Sequence, residues 1–95
     1  MKKIIYIAES STHGGDSFEV CVSFDKDEAI SKAELDREHQ SEYDRRRCSH
    51  SVSGYEVEIQ DGQTASEAWN EYVLNSAWIS DAVFFQEITI KADEE

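Results

Sequence analysis

Three groups of residues have types and spacings that could do chemistry. Cys48 and His50, with His39 or His13 elsewhere in the chain, offer metal ligands, but a lone Cys-x-His lacks the paired spacing of a zinc motif. His13-Gly14-Gly15-Asp16 has the glycines of an oxyanion loop, yet no G-x-S-x-G nucleophile element accompanies it, so a turn is expected. Glu56 and Glu58 could act as acid and base only if a pocket desolvated one of them. Strand alternation instead turns both toward solvent. P-loop, dinucleotide and HExxH motifs are absent from the sequence. The expectation is a protein that is not an enzyme and holds neither cofactor nor metal.

Surface charge remains as the main chemical feature. The 95 residues carry 9 Lys plus Arg against 21 Asp plus Glu, a formal net charge of −12. Such an imbalance favours solubility and opposes binding to nucleic acid or anionic lipid, both of which are met with Lys and Arg. A basic protein surface is the expected partner. The acid is concentrated in "DKDEAISKAELDREHQSEYD", residues 25–44. Asp25 reads as an N-cap with Glu28 completing a capping box, and nothing between Gly15 and Gly54 is glycine or proline. The pattern therefore predicts one helix from Lys26 to about Tyr43 or the arginines beyond it.

At 100° per residue, Ala29, Ile30, Ala33, Arg37, Gln40 and Tyr43 form a thin inward stripe. Asp27, Glu34, Glu38 and Glu42 form a row on the opposite side. Residues three or four apart on a helix lie about 5 to 6 Å from each other, near the roughly 6 to 7 Å between successive phosphates of a nucleic-acid strand. Such a row would meet Lys and Arg side chains arranged for a phosphate backbone. Leu35, beside Glu34 and Glu38, would supply an apolar anchor, while Leu74 is a second leucine off its helix's apolar face. Arg45, Arg46 and Arg47 suit the helix C-terminus through the macrodipole, or would pair with an acidic patch on a partner.

Around this helix the chain alternates strand and helix signals. Residues 3–9 are β-branched and aromatic and read as a strand buried on both faces. "SSTHGGD" reads as a turn, and "FEVCVSF" as a hairpin partner with Phe18, Val20, Val22 and Phe24 on one face. Cys21 takes a small buried role there, and both cysteines are expected as free thiols. "RRRCSHSVSG" reads as helix end and loop, and "YEVEIQ" as the third strand. Thr64 and Glu67 then cap a second helix whose apolar side is Ala65, Ala68, Trp69, Tyr72 and Val73. Residues 82–91 form the last strand.

The expected fold is thus a single α+β domain over residues 1–95, of order ββαβαβ. It is a two-layer arrangement in which an about four-stranded, mainly antiparallel sheet packs one face on two helices. Glu19, Glu56, Glu58 and Glu87 would lie on the open sheet face, an alternative acidic surface. The apolar run after Met1 is too short for a secretory core or a membrane span, which points to the cytoplasm.

In size, charge and the acidic helix of residues 25–44, the chain resembles the small acidic α+β proteins of phages and mobile elements. Among these it is similar to anti-CRISPR proteins of the DNA-mimic kind. The resemblance implies an inhibitor in a bacterial host cell that occupies the basic DNA-binding channel of a CRISPR surveillance complex or nuclease. It implies contacts through Asp27, Glu34, Glu38 and Glu42, with Glu19, Glu56 and Glu58 as the alternative face. The competing reading is a non-enzymatic interaction module, such as an immunity protein or small regulatory subunit, using shape and the aromatics Trp69, Tyr72 and Trp78. Monomer and homodimer are both compatible with the sequence.

Overall fold

The computed structural model describes residues 1–12, 14–75 and 84–90. The elements are β1 (Lys2–Thr12), β2 (Ser17–Ser23), α1 (Lys26–His39), α2 (Glu42–Arg47), β3 (Cys48–Glu58), α3 (Ala65–Asn75) and β4 (Phe84–Ile90). The class is α+β with an antiparallel sheet, as expected. Three described helices replace the expected two, because the first helical stretch is divided.

β1 pairs with β2 through a turn in which Thr12 N–H donates to the Asp16 carbonyl at 2.8 Å and Gly15 takes a φ of 93°, a conformation glycine adopts without strain. β1 also pairs along its whole length with β3, from Lys2 opposite Glu58 to Thr12 opposite Cys48. β4 adds to the other side of β3, so the strand order is β2-β1-β3-β4.

β3 is a correction to the sequence reading. Residues 48–54, expected as loop, are the first seven of the eleven residues of this strand. Its serines are weak strand formers, but pairing on both sides and burial of every second residue override intrinsic preference. Cys48, His50, Val52 and Gly54 are buried, and Ser49, Ser51 and Ser53 between them are half-buried.

The helices do not share one face, which corrects the two-layer expectation. Along β1, Ile5 and Ile7 point one way and Tyr6, Ala8 and Ser10 the other. Ala8 packs with Val52 of β3 and with Ala29 and Ala33 of α1. Ile5 and Ile7 pack with Val57, Ile59 and, from α3, Ala68 and Trp69. α1 and α3 therefore cover opposite faces of the sheet. β3 serves both by switching the parity of its buried residues between Gly54 and Val57.

Trp69 is buried, with its ring centroid 4.7 Å from Tyr55 and 5.5 Å from Tyr72. This aromatic row packs against the core, with Trp69 buried and Tyr72 half-buried; Trp78 lies outside the described residues. Val73, expected inward, is exposed. The even alternation expected of β2 also fails. Glu9 faces Glu19 while Ala8 faces Cys21, so Val20 is the extra residue of a β-bulge. Val22 and Phe24 pack toward the α3 side, Val20 packs with the α1 cluster, and Phe18 is left 61% exposed.

Candidate binding surface

α1 begins as its cap residue dictates. The Asp25 carboxylate accepts from the Asp27 and Glu28 N–H groups at 2.9 and 3.4 Å. The Asp25 N–H donates to Ser23 Oγ at 2.9 Å, the bond that the Glu28 side chain would accept in a full capping box. Thr64 and Glu67 make both halves of that box at the start of α3, at 3.3 and 3.1 Å.

The helix ends sooner than the sequence suggests. Gln40 and Ser41 are extended, with ψ of 150° and 161°, and Ser41 starts α2 by accepting from Asp44 N–H at 3.1 Å. A serine N-cap competes with helix continuation without any glycine or proline. Arg45 then folds back, its guanidinium donating to the carbonyls of Arg37 and Glu38 at 3.3 and 3.2 Å. It caps the orphan acceptors of α1. Arg46 pairs with Glu42 at 2.8 Å and Arg47 stacks 4.2 Å over the Tyr43 ring. Each of the three arginines thus has a partner inside the protein.

This break sorts the expected carboxylate row. Asp27, Glu34 and Glu38 remain together on the outer side of α1, exposed, and none of them has an ion-pair partner among the described residues. Glu42 sits on a different helix and is engaged by Arg46, so it leaves the row. Tyr43, expected inward, is exposed on α2. Leu35 is 44% exposed beside the three carboxylates.

The alternative acidic surface does not assemble. Glu56 and Glu58 lie opposite Ile4 and Lys2, on the α1 side of the sheet, while Glu19 lies opposite Glu9 on the α3 side. Glu58 receives a 2.8 Å hydrogen bond from the N-terminal ammonium, which holds its carboxyl below the usual carboxylate range. Lys2 stands 3.8 Å from Glu56. Glu87, in β4, falls outside the described side chains.

Two features went unread in the sequence. Glu9 is half-buried, and burial first and Glu19 second push its carboxyl up. Its place in an apolar-looking strand beside a second glutamate was legible only once the register was known. The other feature is a polar junction under the end of α1. His50, fully buried, has Nε2 2.8 Å from Asp36 Oδ2, and its Nδ1 has no partner among the described residues. Gln40 reaches across to Ser10 Oγ at 3.4 Å. Asp36, phased toward the sheet, is the residue that the stripe of six omitted. Among the described residues no group of three or more His, Cys, Asp or Glu side chains is arranged to hold a metal, and no helix is long and apolar enough to cross a membrane.

No family model matches the chain, and no curated protein or solved structure shows significant similarity to it.

Proposed function

We propose that the protein binds a basic surface of a bacterial DNA-targeting complex through the outer side of α1 and blocks DNA from that surface, as an anti-CRISPR-like charge mimic. One observation carries this reading. Asp27, Glu34 and Glu38 stand exposed with no described ion-pair partner, whereas Glu42, Glu56 and Glu58 are each engaged by a cation of the chain itself. Free carboxylates pay no internal pairing cost when they meet Lys and Arg of another protein, and they raise the association rate. Leu35 adds an apolar contact at the edge of the row. The aromatic module reading is weakened, since Trp69 and Tyr72 are committed to the core.

The test is binding to a purified CRISPR surveillance complex over a salt series, with and without target DNA. The expected outcome is mutual exclusion with DNA and weakening as salt rises, because exposed charges are screened within about 10 Å at 0.1 M salt. Reversing Glu34 and Glu38 to Lys should weaken binding further. Simultaneous binding with DNA, or indifference to the reversals, overturns the proposal.

A further inference from the structure

β2 ends the sheet, and none of its outward backbone groups is hydrogen-bonded to another described segment. Edges of this kind are usually guarded by Lys, Pro or a covering segment. β2 contains neither Lys nor Pro, and only its bulge at Val20 interrupts it. Its one charge is Glu19, and Phe18 is open to solvent beside it.

The helix that carries the free carboxylates also stands over this strand. α1 packs on β2 directly after the Phe24–Asp25 connection. Packing shows which flank is near: Cys21 of β2 lies against the cluster that holds Ala29 and Ala33 of α1, and Glu28 and Lys32, four apart on one flank of that helix, adjoin these alanines in sequence; burial and then Glu28 push the Cys21 thiol up, and Lys32 opposes them. Glu28 and Lys32 therefore border the α1 side of the edge, and Glu19 with its cross-strand neighbour Glu9 borders the other. An added strand would find a carboxylate on each face, opposed on the α1 side by Lys32.

We propose that the open edge of β2 takes an extended, Lys- or Arg-containing segment of the partner protein as an added β-strand. Main-chain bonds would supply the pairing, Glu19 and Glu28 the preference for a basic segment, and Phe18 an apolar contact. This rests on the reading that the partner is basic. A second copy of the chain is a poor occupant, because it would bring another formal charge of −12 to the same edge.

The experiment uses the full chain with a short synthetic peptide alternating arginine and valine, read by amide hydrogen exchange. With the peptide at about ten times its Kd, mass action predicts that outward amides within Ser17–Ser23 exchange about tenfold more slowly. Reversing Glu19 or Glu28 to Lys should weaken the peptide by roughly 1.5- to 5-fold each. Peptide binding that leaves the β2 amides unprotected overturns the proposal, as does protection that appears without peptide through self-association. The Glu34 and Glu38 reversals keep the two ideas apart. If they abolish binding to the complex while β2 shows no peptide protection, the α1 reading stands and this one fails.

Discussion

Replacing Asp36 with alanine tests whether the buried junction under α1 holds the helix to the sheet. The two partners are unequal: His50 is fully buried, whereas the Asp36 side chain is 41% exposed. Asp36→Ala removes the acceptor at 2.8 Å and leaves Nε2 unsatisfied beside an Nδ1 that already lacks a described partner. Stranding a buried polar group costs about 1–3 kcal/mol. For a domain of this size each kcal/mol lowers Tm by about 4–8 °C, so a fall of roughly 4–24 °C is expected. His50→Leu removes the polar ring and leaves Asp36 hydrated, so adding Asp36→Ala to that variant should cost less than about 0.5 kcal/mol, the range of ordinary surface changes. Urea unfolding of the four proteins in the double-mutant cycle gives the coupling directly. The reasoning is refuted if Asp36→Ala costs under about 0.5 kcal/mol in the wild-type background, or costs the same with and without His50.

Three further outcomes are expected. Ser41→Ala should destabilise by about 0.5–2 kcal/mol through loss of the α2 cap, with faster amide exchange confined to Asp44 and its neighbours. Glu9→Gln should stabilise the protein at neutral pH by about 0.2–1 kcal/mol, since it removes a like-charge pair across the strands. Because folding raises the Glu9 pKa, the wild type binds that proton more tightly when folded. Its deficit against the variant is full above the folded pKa and shrinks on acidification toward the unfolded value, a difference that paired denaturation curves will show. Glu58 works in the opposite sense. Its pKa is depressed chiefly by the hydrogen bond from the N-terminal ammonium, so acetylating the N-terminus should move its NMR titration up toward the usual carboxylate range.

Much of the local structure was legible because it depends on neighbours in sequence. The cap at Asp25, the Thr64–Glu67 box and the core roles of Ala29, Ala33, Ala68 and Trp69 follow from spacing alone. The break at Ser41 is hidden in the sequence because no glycine or proline marks it, although serine can end one helix by capping the next. Residues 48–54 did alternate, as Cys-Ser-His-Ser-Val-Ser-Gly, but serine on one face and small or polar groups on the other gave no hydrophobic signal. The split of the acidic surface depended on register, which is fixed by pairing between Lys2–Thr12 and a strand that begins only at Cys48. No local pattern reports it. Of the acidic candidates, the members within α1 stayed together because one helix sets their phase, and those on other elements did not.

The pairing of Thr12 with Cys48 places the two ends of a long excursion side by side. The chain between them leaves the β1–β3 ladder, runs along the other side of β1 as β2 and on through α1 and α2, and returns to the ladder at one rung. The contacts that close the ladder lie in Ile5, Ile7, Ala8, Val52 and Val57, and none of them belongs to the outer side of α1. Substitutions at Asp27, Glu34, Leu35 or Glu38 can therefore accumulate with little effect on folding. On the proposed reading, a recognition face built this way could change with its target while the ladder beneath it stayed as it is.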